Sequence, residues 1–252
     1  MNDTELQKKR FIELANKSYN SGIFLFTDFL GLAEQAIFNE AKSSIRGISY
    51  TAFGGVEGAE RVMIRFGDEE ELGYSAAFPI VCIKAEPVSQ KFADKLTHRD
   101  FLGAILNLGI ERSTLGDIAI SDNVGYIFAK EEIAPYIISE LKRAKHTDLK
   151  LSLIEGELPG GELYKTERRK IQANGERIDA VVAKVFGISR EESLSLFTKH
   201  LVFVDGRALE NNSYIPKSGE LISVRGFGRM IYRGYETTSK KGKLNIEVDL
   251  YV

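Results

Sequence analysis

Between positions 177 and 207 the chain sets basic and hydroxyl side chains where helices and strands should begin and end: Arg177, Ser189, Arg190, Lys199, His200 and Arg207. Guanidinium and ammonium groups in such a set suit one chemistry, the neutralisation of phosphates. Phosphate contacts supply most of the sequence-independent affinity of a protein for nucleic acid. Ser189 can cap a helix and could also donate to a phosphate oxygen. Arg225 and Arg229 extend the basic set, and with Arg233 they recur in steps of four, which puts them on one face of a strand. No catalytic residue emerges from the spacing. His98, His146 and His200 are far apart and lack partners at ligand spacing, so neither a metal nor a cofactor is expected.

The elements that must hold these groups can be read locally. Ile178, Val181, Val182, Val185 and Phe186 recur at three- and four-residue steps, the signature of a one-faced helix. Gly187 ends it, because glycine adopts a left-handed backbone without steric cost. Ser189 starts the next helix, and Glu192 three positions on completes a capping box. This second helix carries Leu194, Phe197 and Thr198 on one side, with Lys199 and His200 in its last turn. Arg190 falls in the first turn, where the helix dipole disfavours a cation, so something other than helix stability must keep it there. Val202 and Val204 alternate with Phe203 as a strand, and Asp205-Gly206 makes a turn. The expectation is that Arg177, Arg190, Lys199 and Arg207 share one basic face.

Arg177-Ile178-Asp179, Ser189-Arg190, the following helix, Val202-Phe203-Val204-Asp205-Gly206 and the later run Ser218–Gly226 together resemble the RNA-binding domain of ribosomal small-subunit protein S-four. That module also occurs in tyrosyl-tRNA synthetases, pseudouridine synthases and a ribosome-associated heat-shock protein. His200 stands where the module usually has Gly, and Asp205 where it usually has Asn. His98–Ala104, Leu108–Arg112, Gly116–Ile118 and the tail Ser223–Arg229 extend the likeness to the YlmH family. The resemblance implies a bacterial, cytoplasmic RNA-binding protein, encoded near cell-division genes and acting in the rescue of stalled large ribosomal subunits. It implies ribosomal RNA of the large subunit as partner, with tRNA nearby, no membrane, and a monomer. Its site residues would be Arg177, Ser189, Arg190, Lys199, His200, Arg207, Arg225 and Arg229.

A rival reading is an RNA-modifying enzyme that uses the same module as a guide arm. A pseudouridine synthase needs an aspartate in an Arg-Leu-Asp-type motif outside the module, and the one close match, Arg177-Ile178-Asp179, lies inside it. A methyltransferase needs a Gly-rich turn between strand and helix, and none is present. A regulator of cell division working through protein contacts has no discriminating feature in the sequence.

Composition bounds the rest. With 252 residues, 43% hydrophobic and 28% charged, the chain is an ordinary globular sequence long enough for two or three small domains. No apolar run approaches the roughly 18 residues of a membrane span, and the polar start MNDTELQKKRF lacks a signal-peptide core. The single Cys82, in Ile80-Val81-Cys82-Ile83, reads as a core strand residue. Net charge hides an asymmetry: Lys165 to Val252 hold 16 Lys+Arg and 11 Asp+Glu, a balance of +5, so with −2 for the whole chain residues 1–164 carry −7. An acidic front part argues against nonspecific coating of nucleic acid and favours one oriented docking mode.

The expected class is α+β. Residues 1–75 read as an N-terminal subdomain: a helix over 5–19, a second from Thr27 or Asp28 to about Ser43, and a hairpin of Arg46–Phe53 and Arg61–Phe66 joined by Gly54–Gly58. Residues 76–156 read as a ferredoxin-like, RNA-recognition-like domain of order β-α-β-β-α-β. Its strands are placed at Ile80–Ala85, Asp117–Ser121, Val124–Ala129 and Leu149–Ile154. Its helical stretches are placed at Ser89–Leu108, broken near Thr97, and Lys130–Ala144. Residues 157–170 read as a linker, and 171–252 as the S-four-like domain, closed by a hairpin of Met230–Thr237 and Lys243–Val252.

Other motifs have plainer explanations. Tyr126 and Phe128 lie two apart on one strand face and could stack on bases, though core packing explains them as well. His98-Arg99-Asp100 echoes a kinase loop whose other parts are missing; a helix cap accounts for it, with Arg99 left as an exposed contact. Gly54-Gly55-x-x-Gly58 fits a hairpin turn better than a phosphate cradle. The run Asp68–Glu71 reads as a solvated turn.

Overall fold

The computed structural model describes residues 3–155, 163, 166–239 and 242–251. They form two compact units, residues 1–164 and 165–252. This division coincides with the charge boundary read above, −7 against +5.

The first unit begins with α1 (Asp3–Ser21), which buries Phe11, Ala15 and Ser18. The strand β1 (Leu25–Phe26) and α2 (Leu32–Ala41) follow. The second helix starts later than the expected Thr27 because that residue is engaged elsewhere. The Thr27 hydroxyl accepts from the Ile64 amide at 2.9 Å and donates to the Asp28 carbonyl at 2.7 Å, holding an extended backbone. Strands β2 (Tyr50–Phe53) and β3 (Met63–Phe66) pair antiparallel, with β1 on the other side of β3. One short helix, α3 (Glu69–Leu72), is capped by Asp68, so the acidic run is a capped helical turn.

The middle of this unit has strands β4 (Ile80–Pro87), β5 (Leu115–Ser121), β6 (Val124–Lys130), β7 (Arg143–Ala144) and β8 (Thr147–Leu153). Helices α4 (His98–Leu106) and α5 (Ala134–Glu140) lie between them. The sheet order β5-β6-β4-β8-β7 is antiparallel throughout and reproduces the ferredoxin-like plan, with β7 as an added edge. Its helices are shorter than expected. Ser89–Leu108 yields one tight turn at Gln90–Phe92 and then α4, which starts where Thr97 and Asp100 form a reciprocal capping box. Lys130–Ala144 yields α5 alone, because Arg143 and Ala144 pair with β8 instead.

The boundary expected near residue 75 is spanned by polar contacts. The half-buried Arg61 donates to the carbonyls of Phe29, Arg112 and Leu115 at 2.9–3.1 Å. The Asp117 carboxylate accepts the amides of Glu60 and Arg61 at 2.7 and 3.0 Å. Arg112 donates to the Leu115 and Gly116 carbonyls, and burial, then neighbouring Arg61, pull its guanidinium down to about 10. Gly116 leaves room for the Phe29 ring, which a Cβ would meet at 2.8 Å.

The second unit opens with β9 (Thr166–Ala173), so residues 166–170 of the expected linker form a strand; most of 157–165 lies outside the described residues. These residues are held by an antiparallel ladder to β14 (Leu244–Tyr251), distant in sequence. Then come α6 (Ile178–Phe186), α7 (Arg190–Thr198), β10 (Val202–Val204), β11 (Arg207–Ala208), β12 (Leu221–Val224) and β13 (Gly228–Thr238). The six-stranded sheet, β11-β10-β12-β13-β14-β9, packs one face on α6 and α7. Its core includes Val181, Val182, Phe197, Val202, Val204, Met230, Tyr232, Ile246 and Val248. In α7 the buried face is Ser193, Leu196 and Phe197, and Thr198 is exposed; the apolar side is rotated from the expected one because Leu196 takes the core position.

Candidate nucleic-acid interface

The basic residues of the second unit are set by the two ends of α7. At its start, Gly187 ends α6 with φ +67°, and the Ser189 hydroxyl accepts the Glu192 amide at 3.0 Å. That turn brings Arg190 back toward the start of α6. There Asp179, fully buried, accepts from Nη2 of Arg190 at 3.1 Å and from Nε and Nη2 of Arg177 at 3.2 and 3.1 Å. Its carboxylate also accepts the Ala180 amide at 2.9 Å. Burying a carboxylate at a helix N-terminus is favourable with respect to the dipole. Two guanidinium groups on one carboxylate leave a local charge of +1.

Arg177 also donates to the Asn212 side chain at 3.2 Å. Both arginines remain about half exposed, 45% and 53% for their side chains, with planar forks oriented by the buried anion. An oriented fork presents remaining N–H groups outward in a geometry that matches phosphate oxygens. This supplies the reason, absent from helix energetics, for an arginine in the first turn of α7.

Beside this pair lies a groove of about 600 Å³ lined by Gln172, Lys184, Ser189, Arg190 and Lys243, among others. Lys184 and Lys243 were not singled out by sequence reasoning. Lys184 lies on the exposed side of α6, a weak signal; Lys243 is brought there only by the pairing of β14 with β9.

The other end of α7 carries Lys199 as C-cap, then His200 with φ +53°. The left-handed backbone explains why glycine suits this position. His200 lies 3.5 Å from Glu210. Arg225 joins this corner because its amide donates to the Leu201 carbonyl, and its guanidinium sits over the Phe203 ring at 5.5 Å. Arg207 lies exposed in β11, past the turn in which Asp205 and Gly206 both have positive φ. The two ends of α7 are about 14 Å apart at 1.5 Å per residue. The site residues therefore fall into two groups along α7, Arg177 with Ser189 and Arg190 at its start, and Lys199 with His200 and Arg225 at its end.

Arg229 is half-buried on the sheet face away from the helices, its guanidinium 4.6 Å from the Tyr251 ring. Arg233 on the same strand is tied to Asp249 at 2.6 Å, so the evenly spaced arginines do not act as an equivalent row.

In the first unit, the sheet face that would stack bases is covered. Phe128 is fully buried with Val56, Cys82 and Ala119, and Tyr126 packs against them half-buried. The loop at Gly54–Gly58 lies on this face; a Cβ on Gly55 would meet Phe128 at 2.5 Å. Core packing, the plainer of the two readings, accounts for both aromatics and for the glycines. Cys82 is buried here and its thiol is pushed up to about 12.

Residues 76–157 match the family described as "Putative RNA-binding domain in YlmH". Over 247 residues, 97% of this chain and 91% of the other, the sequence is 28% identical to ribosome-associated protein quality control protein P2 of Bacillus subtilis (strain 168). Over residues 76–157 the chain is similar to the YlmH family. A solved structure of cell division protein ylmH from Streptococcus pneumoniae aligns over 62% of this chain and 93% of the other, with 21% identity and a TM-score of 0.48. Among the described residues, no helix is long and apolar enough to cross a membrane, and no group of three or more His, Cys, Asp or Glu is placed to hold a metal ion.

Proposed function

We propose that this is a cytoplasmic, non-catalytic RNA-binding protein that docks on ribosomal RNA of the large subunit, beside tRNA, in ribosome-associated quality control. Residues 171–252 act as an S-four-type module. Arg177 and Arg190 are its central phosphate contacts, Lys199, His200, Arg207 and Arg225 a second group, and Arg229 a flanking one. The observation that carries the reading is the buried Asp179 holding two half-exposed guanidinium groups in fixed orientation. The family description of residues 76–157 and the name of the Bacillus relative support it. For the rival enzyme, the aspartate of Arg177-Ile178-Asp179 would have to reach a substrate base. It is instead fully buried beneath two arginines.

The test is sedimentation of cell extract through sucrose at rising salt. The full chain is expected to migrate with the large subunit at low salt and to be released as salt rises. The pair Arg177→Ala and Arg190→Ala should be released at lower salt. Comigration of that folded double variant identical to wild type at every salt would refute the assignment. A modified nucleoside that disappears when the gene is deleted would promote the enzyme instead.

A further inference from the structure

The ferredoxin-like part of the first unit has its outer sheet face covered by residues 54–59, so a base-stacking surface of the usual kind is not offered there. On the helix side, α4 and the segment from the end of α5 into β7 bound a concavity of about 640 Å³. Arg99, Lys142, Arg143 and Lys145 line it, against the carboxylates of Asp100 and Glu140. This excess of cations stands inside a unit whose total charge is −7.

The four cations are not equivalent. Lys145 bonds Asp100 at 3.0 Å and the Lys95 carbonyl at 3.3 Å, and Arg143 bonds Asp148 at 2.8 Å. Asp100 is further engaged in the Thr97 cap. Arg99 and Lys142 are exposed and have no partner among the described residues. Between them, Gly103 lies inside α4 with nothing within 4 Å of where a Cβ would be. Glycine weakens a helix relative to alanine, and no neighbour here requires it. It leaves bare backbone in the floor of a cationic hollow, open to a ligand that approaches closely.

We infer that this concavity is a second RNA-backbone site, in which Arg99 and Lys142 each neutralise one phosphate. The inference rests on the RNA-binding reading above, and it moves the contact surface of the middle domain from the sheet to the helices. RNA is favoured over an acidic peptide because the domain matches a family described by RNA binding.

The experiment uses the full chain and a fluorescein-labelled RNA hairpin with a single-stranded flank, titrated at several salt concentrations. Wild type is compared with the pair Arg99→Gln and Lys142→Gln, and with the pair Arg177→Ala and Arg190→Ala. Loss of two phosphate contacts should lower the slope of log K against log salt by about 1.5 and affinity at low salt about tenfold. A Gln pair with wild-type slope and affinity, while the Ala pair loses both, would sink the second site and leave the C-terminal one standing. Loss in the Gln pair with wild-type behaviour in the Ala pair would support the second site and reject the C-terminal one. Absence of RNA binding by the wild type would overturn both. A Gln pair that loses binding to polyglutamate but keeps the RNA affinity would make the hollow a peptide site and overturn its assignment to RNA.

Discussion

Arg190 reaches back across the α6–α7 turn to Asp179, eleven residues earlier, and meets its Oδ2 oxygen at 3.1 Å, the oxygen that also receives Nη2 of Arg177. On the proposed RNA-binding role, stability and binding are coupled at this carboxylate. Asp179→Ala leaves two guanidinium groups repelling each other beside a buried hole. Losing hydrogen bonds to a charged group costs about 1.5–3 kcal/mol, reduced here because both guanidinium groups stay about half exposed to water. The expected outcome is a clear fall in the urea midpoint of the C-terminal unit. Arg190→Lys should cost much less, because Arg177 still neutralises Asp179. It keeps the charge but loses the planar fork. RNA affinity should then fall while the salt slope stays near wild type; a lysine variant with unchanged affinity would show that the fork geometry is immaterial.

His200 occupies a left-handed backbone at φ +53° and is exposed. Such a conformation costs a non-glycine residue roughly 1–2 kcal/mol, partly offset in a glycine variant by greater freedom of the unfolded chain. His200→Gly should raise stability by about 0.5–1 kcal/mol in urea denaturation. If the imidazole contributes to the second basic group, the same change weakens RNA binding, so stability and affinity move in opposite directions. A glycine variant less stable than wild type would show that the His200–Glu210 contact outweighs the strain.

Gly187, Ser189, Asp205 and Gly206 were legible because caps and turns are local chemistry, settled within a few residues. The ferredoxin-like order was legible because strand alternation and helical periodicity succeed one another in the right sequence. Strand β9 was not legible. Thr166–Ala173 reads as a charged run, and its strand character comes from pairing with Leu244–Tyr251. The Asp179 seat was hidden for a similar reason, since Arg190 acquires its partner only when α6 and α7 pack. The covering of Tyr126 and Phe128 follows from a loop some seventy residues upstream, which no periodicity reports.

That covering can be tested with two glycines of different surroundings. Gly55 has φ +95°, and a Cβ there would meet Phe128 at 2.5 Å and Ile80 at 2.9 Å; Gly47 has φ +83° with nothing within 4 Å. Gly47→Ala pays backbone strain alone, about 1 kcal/mol. Gly55→Ala adds overpacking, about 1–3 kcal/mol more. Equal losses in urea denaturation would mean that the loop does not seal the sheet. The Gly55 variant should also speed labelling of Cys82, whose thiolate is disfavoured by burial in the native fold.

The outer sheet face of the second unit carries an acid-sensitive device. Asp249 accepts from Arg168 on β9, at 2.7 and 3.3 Å, and from Arg233 on β13, at 2.6 Å. Glu247 two residues away meets Lys170 at 2.8 Å and Arg168 at 3.4 Å. The Arg168 hydrogen bond, aided by Arg233, holds the Asp249 carboxyl below the ordinary aspartate value of 3.8. Glu247 is likewise held below its ordinary value, chiefly by Lys170. A carboxylate with a depressed folded-state pKa contributes stability that is complete above its unfolded pKa and disappears as pH falls through the folded one. Asp249→Asn should therefore cost about 1.5–3 kcal/mol at neutral pH, the range for hydrogen bonds to a charged group. The gap between wild type and variant should begin to close below about pH 5 and vanish once the folded-state carboxyl is protonated. Urea unfolding from pH 7 downward reads this directly. A gap that stayed constant with pH would mean that the three strands are not held by the Asp249 charge, and a gap that widened in acid would reverse the sign of the linkage.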